Sequence, residues 1–114
     1  MEGARKLAAS LGFEFYFDWE SCRSSEGFYK IKGDVDFCAR RACSYLNFCD
    51  LAWMETDKPN LKVAKRFSDL VHVRHPTKML AYNLSPSFNW STSGLSDKEI
   101  ADFVFDIGKL GFTW

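Results

Sequence analysis

The chain has 114 residues, 46% hydrophobic and 17% aromatic, and its fifteen Lys and Arg balance fifteen Asp and Glu. That aromatic content excludes a disordered chain, and the neutral balance excludes a general electrostatic attraction to nucleic acid or to an anionic membrane surface. No apolar run is long enough to span a bilayer, MEGARKLAAS lacks the apolar core of a secretory signal, and residues 1–114 are expected to form one segment.

In chain order, the first expected element is a short helix from about Glu2 to Leu11, stopped by Gly12. A strand is expected over Phe13 to Asp18 (FEFYFD), where aromatic residues crowd together. A long loop, Trp19 to Gly33, is rich in Ser, Gly and charge. Such loops serve either as lids or as ordinary connections, and Gly27 offers a flex point. The spacing of Val35, Ala39, Ala42 and Leu46 predicts a helix over about Asp34 to Leu46.

The second strand is expected over Asp50 to Met54 (DLAWM), followed by a turn over Glu55 to Pro59. Asn60 then caps a helix running to about Arg74, with Leu61, Ala64, Phe67 and Val71 inward and Pro76 closing the segment. A third strand covers Met79 to Asn83, and its loop runs from Leu84 to Leu95. Ser96 and Glu99 have the spacing of a capping box, opening a helix with Ile100, Phe103, Ile107 and Leu110 on one side and Gly111 as terminator. Phe112 to Trp114 begin a fourth strand.

Strands at roughly thirty-residue intervals with helices between them are the pattern of βαβ units and a parallel sheet. Right-handed crossovers bring every C-terminal strand end to one edge, where doubly wound and barrel folds bind ligands. That edge collects Asp18 and Glu20, then Glu55, then Asn83, Ser85 and Ser87. A complete (β/α)8 barrel needs about 250 residues. The chain is therefore either a small open α/β domain or a partial barrel of about three βα units.

The densest candidate is Asn83-Leu84-Ser85-Pro86-Ser87. Two hydroxyls around a proline face one way if the loop is extended, and with an amide NH2 they suit a carboxylate. The same residues also make turns that cap their own backbone. Glu55, directly after a strand, suits a metal-water network or a base; it equally suits a surface ion pair. Asp18 and Glu20 flank Trp19 as a candidate divalent-metal pair or as solvated loop charges.

Cys22, Cys38, Cys43 and Cys49 form no C-x-x-C pair, so they are expected to be reduced and mostly buried, which points to an intracellular setting. His72 and His75 complement a helix end. No Gly-rich phosphate loop, Ser–His–Asp order or H-E-x-x-H occurs.

Taken in order, FYFDWE (Phe15 to Glu20), RSSEGFYKIKG (Arg23 to Gly33), DLAWMET (Asp50 to Thr56) and KMLAYNLSPSFNW (Lys78 to Trp90) resemble isocitrate lyase and the related 2-methylisocitrate lyases, and the resemblance continues through LGFTW. It implies a (β/α)8 barrel and Mg2+-dependent retro-aldol cleavage of isocitrate to succinate and glyoxylate, a step of the glyoxylate cycle. By that resemblance Asn83, Ser85 and Ser87 hold the succinate-side carboxylate, and Glu55 belongs to the metal-water network.

The family's K-K-C-G-H loop, its A-R-T-D segment and its metal-ligating aspartate have no match here, so no catalytic acid is assigned. The chain alone is expected not to catalyse. A non-catalytic carboxylate-binding or interaction module stays open as an alternative, as does 2-methylisocitrate as the parent substrate. The resemblance implies a homotetramer for complete members, with cytoplasm, glyoxysome or peroxisome, and mitochondrion all open.

Overall fold

A computed structural model describes residues 2–114, which fall into two compact units, the first ending at Lys32 and the second running Gly33–Trp114. The first unit opens with helix α1 (Glu2–Ser10), which buries no residue. Gly12 takes a φ of +78°, and Phe13 N–H donates back to the Ala8 carbonyl (2.9 Å), which is how a glycine ends a helix by folding the chain over its last carbonyls.

The strand expected over Phe13 to Asp18 is not formed. Phe13 and Tyr16 are 70% and 83% exposed. Aromatic residues favour an extended backbone, but a strand exists only where a neighbour completes its hydrogen-bond ladder. Asp18 instead caps the 3-10 turn Glu20–Cys22, its Oδ1 accepting from the N–H groups of Glu20 (3.0 Å) and Ser21 (3.3 Å).

The following loop is a small closed hairpin. Arg23 and Tyr29 form an antiparallel bridge, Ser24 N–H donates to Phe28 O (2.7 Å), and Gly27 turns the corner at φ +88°. The Arg23 guanidinium donates to Glu20 (2.9 Å) and to the Tyr29 hydroxyl (2.6 Å) and lies over the Tyr29 ring.

The second unit contains α2 (Val35–Tyr45), β1 (Leu51–Met54), α3 (Leu61–His72), β2 (Met79–Tyr82) and α4 (Asp97–Lys109). Each helix starts where a side-chain oxygen satisfies an orphan N–H. Asp34 accepts from Phe37 (2.7 Å), Asn60 from Val63 (3.1 Å), and Ser96 from Glu99 in a complete capping box. Ser96→Ala is expected to lower stability by about 1 kcal/mol, with Ser96→Asp close to wild type, read as urea midpoints at constant slope.

β1 and β2 pair in parallel, with Leu51 opposite Met79 and Met54 opposite Tyr82. On the far side of β2, Phe112 makes a parallel bridge to Leu80, supported by Thr113 N–H to Leu80 O (2.8 Å) and Tyr82 N–H to Trp114 O (2.9 Å). The expected fourth strand is thus present as a short third row. The three expected full strands reduce to two, because Phe13 to Asp18 is unpaired. Among the described residues the elements are mixed α/β, four α-helices and a two-stranded parallel sheet.

Helices cover one face of the sheet. Ala52, Met54, Leu80, Tyr82 and Phe112 pack in one core with residues such as Ala39, Phe67, Val71, Phe103 and Ile107. On the opposite face Trp53 is 62% and Met79 45% exposed. Arg66 of α3 grips Asp36 of α2 with two hydrogen bonds (3.0 and 2.7 Å). They hold the Asp36 carboxyl below its ordinary value, so the small contribution of this exposed pair fades as the pH falls through that lowered value.

Both histidines near the end of α3 bond carbonyls rather than merely complementing the helix end: His72 Nε2 to Lys78 O (3.1 Å), His75 Nε2 to Cys43 O (3.0 Å). All four cysteines are free, but only Cys43 is buried; Cys22 and Cys38 are exposed, against the expectation of mostly buried thiols. Among the described residues no helix is long and apolar enough to cross a membrane.

Candidate functional site

The parallel register of β1 and β2 decides what meets at their C-terminal edge. Met54 lies opposite Tyr82, so the next residue of each segment, Glu55 and Asn83, emerges side by side. Asn83 N–H donates to Met54 O (3.1 Å), carrying the ladder one step past the strand. Its side chain donates from Nδ2 to Glu55 Oε1 (2.8 Å), across 28 residues of sequence. Glu55 is exposed, takes part in none of the described ion pairs, and has an amide as its partner in place of a Lys or Arg.

Two residues on, the Ser85 and Ser87 hydroxyls lie 2.6 Å apart. The geometry differs from an extended loop around Pro86. Phe88 N–H donates to Ser85 O (3.1 Å), so Ser85-Pro86-Ser87-Phe88 is a tight turn with proline in the position that fixes its φ. Ser87 N–H also donates to Ser85 Oγ (3.2 Å). The turn therefore caps its own backbone and displays two hydroxyls at once. One hydroxyl proton lies between the two oxygens and the other is left to point outward.

The loop carrying this turn is held from below by aromatic contacts. Phe88 packs on Trp90 (centroids 5.9 Å apart), and Trp90 packs edge-on against Phe103 of α4 (5.6 Å). Next to Glu55, three residues to which the sequence pattern gives no role in the site form a polar chain: Thr56, Asn60 and the Tyr82 hydroxyl. The one sequence signal for them is a tyrosine at the last buried position of a strand, whose hydroxyl needs a partner there.

The rim is open. Asn83 and Ser85 are half-buried and Ser87 is exposed. Glu55 also borders a cleft of about 250 Å3 with Val35, Cys38, Trp53, Thr56 and Val63, which does not include Asn83, Ser85 or Ser87. A larger cleft of about 460 Å3, walled by Lys58, Asn60, Lys62, Leu95 and Phe103, lies between the start of α3 and α4 and holds none of the candidate residues.

The donors present do not build a metal centre. Among the described residues no three Asp, Glu, His or Cys side chains are grouped to hold an ion. Asp18 and Glu20 are committed locally, Asp18 to its turn and Glu20 to Arg23 (2.8 Å). Chemically the rim offers an amide with a second N–H and a hydroxyl pair, which can donate to the oxygens of a carboxylate, and beside them one carboxylate, Glu55, which only accepts.

Comparison with known proteins points one way. The isocitrate lyase family model matches residues 1–114. The chain is 40% identical over 115 residues to isocitrate lyase of Oryza sativa subsp. japonica, aligning along all of this chain and 20% of that protein. It is 39% identical over 114 residues to isocitrate lyase 2 of Mycobacterium tuberculosis, covering all of this chain and 15% of that one. With the mitochondrial 2-methylisocitrate lyase of Saccharomyces cerevisiae it shares 43% identity over 97 residues, 85% of this chain and 17% of that protein. The chain thus spans well under a third of the length of these relatives.

Proposed function

The chain belongs to the isocitrate lyase family, and from that premise we propose that it contributes the carboxylate-binding rim of a carbon–carbon lyase acting on isocitrate or its 2-methyl homologue. One observation carries this reading: the β1–β2 register sets Asn83 and Glu55 in hydrogen-bond contact at the C-terminal sheet edge, with the Ser85–Ser87 pair two residues further on.

In a retro-aldol cleavage the 2-hydroxyl loses its proton to a base and becomes the aldehyde oxygen of glyoxylate. The carbon–carbon bond breaks, and its electron pair moves onto the carbon beside the succinate-side carboxylate, which an acid then protonates. Negative charge then builds on the carboxylate oxygens. Fixed donors aimed there stabilise the transition state more than the substrate. The second N–H of Asn83 Nδ2 and the hydroxyls of Ser85 and Ser87 are those donors, the hydroxyls positioned by the Pro86 turn and giving up their mutual bond when a carboxylate takes both.

Mg2+, when bound in the complete protein, would neutralise charge on the 2-hydroxy-carboxylate that becomes glyoxylate. Among the described residues, Glu55 would contribute to its water network. A (β/α)8 barrel, with β1 and β2 as two of its strands, and a homotetramer belong to the same proposal for the complete protein. No residue of the chain is assigned as general acid, so the chain alone is expected to bind and not to cleave.

Succinate titration followed by NMR tests the rim. Each donor to a charged oxygen contributes about 1.5–3 kcal/mol, so Ser85→Ala and Ser87→Ala should each weaken binding roughly tenfold or more. Succinate binding that survives the double replacement unchanged would refute the assignment. Glyoxylate release from isocitrate with Mg2+, above that of the double variant, would overturn the binding-only share given to this chain.

A further inference from the structure

We propose that Tyr82 is a positioning residue for Glu55, acting through Thr56; this rests on the rim reading above. The hydrogens assign themselves. Thr56 Oγ1 lies 2.7 Å from the Lys58 carbonyl, which can only accept, so the single hydroxyl proton of Thr56 goes there. Tyr82 Oη lies 2.6 Å from the same Thr56 oxygen, so the phenol must donate to it. The remaining lone pairs of Tyr82 Oη accept the Asn60 N–H (3.3 Å). The proton chain runs one way, from Asn60 N–H through Tyr82 and Thr56 to Lys58 O. A single phenol thereby ties three points of the loop that leads from Glu55 into α3.

The phenol is itself immobilised. Tyr82 is 5% exposed, its ring edge-on to Phe112 (5.6 Å, 89°) and tilted against Phe103 (5.8 Å, 60°). It is also the residue before Asn83. Two consecutive residues of one segment therefore hold two consecutive residues of the other: Tyr82 holds Thr56 and Asn83 holds Glu55. With the first link in place the backbone that carries Glu55 is already fixed, so the second link has only the two side chains left to order.

The test reads the Asn83 side-chain amide by 1H–15N NMR on the ligand-free chain, with the backbone amides of Leu80 and Val71 reporting the fold. Tyr82→Phe and Thr56→Val should each move the Asn83 NH2 signals most of the way to their position in Glu55→Ala. Thr56→Ser, which keeps the hydroxyl, should restore the wild-type position. The proposal is overturned if the Asn83 signals keep their wild-type position in Tyr82→Phe while the core amides are native. Should Tyr82→Phe lose its fold, the Thr56→Val and Thr56→Ser pair decides by the same signals. Succinate then separates the two readings. Succinate that shifts neither Asn83 nor Ser85 in the wild-type chain defeats the ligand assignment alone, whereas an unmoved Asn83 in the ligand-free variants defeats the positioning role alone.

Discussion

Leu80→Ala is expected to lower the unfolding free energy by about 2–5 kcal/mol, toward the upper end of that range for a buried leucine truncation. Leu80 is 0% exposed and sits in the middle row of the sheet, opposite Ala52 on one side and bridged to Phe112 on the other. Its neighbours are backbone-tethered on both flanks, so little can relax into the vacated space, and the cavity cost adds to the lost transfer energy. Domains of this size are stable by only about 5–15 kcal/mol in total, so the shift should be plain in a urea titration read at constant slope. Leu7→Ala, at a helix position 62% exposed, should stay within about 0.5 kcal/mol of wild type. Equal effects at the two positions would mean that the sheet is not the centre of the core.

Gly111→Ala should be nearly as damaging, for an unrelated reason. Gly111 has a φ of +89°, where an L side chain costs about 1–3 kcal/mol. A Cβ placed there would also stand 2.6 Å from Cε1 of His72, inside any real contact distance. That imidazole cannot swing aside freely. Nε2 bonds Lys78 O, and Nδ1 meets the Ser68 hydroxyl, which also donates to Leu110 O. Forced repacking of this kind adds about 1–3 kcal/mol. The informative control is Gly108→Ala, where the added Cβ meets nothing within 4 Å inside α4. There alanine should stabilise by about 0.5–1 kcal/mol, so opposite signs at two glycines three residues apart are the expected result.

Much of the second unit was legible locally because its signals are local. Asp34, Asn60 and Ser96 announce helix starts through bonds to a residue three positions on, and each does so in the structure. Gly111, like Gly12 in the first unit, ends a helix through a backbone conformation that other residues avoid. The strands expected over Asp50 to Met54 and Met79 to Asn83 are observed as Leu51–Met54 and Met79–Tyr82, each one residue shorter. Phe13 to Asp18 misled because composition reports a preference for extended backbone and says nothing of a pairing partner. Cys22 and Cys38 misled similarly: a typical tendency to be buried does not outweigh a position on an open face.

For the candidate site the division is sharper. Sequence by itself determined that Glu55 and Asn83 stand at strand ends, because those strand limits are written within a few adjacent residues; for Ser85 and Ser87 it left an extended loop and a proline-centred turn both open. Only the tertiary structure decided that Asn83 donates to Glu55 and that the Tyr82 phenol reaches Thr56 and Asn60. Those partners lie 22 to 28 residues apart and meet only through the Met54–Tyr82 register. A slip of one residue in that pairing would turn each side chain to the other face of the sheet. Register is set by how the whole hydrophobic face packs under the helices, and no local run of the chain contains that information.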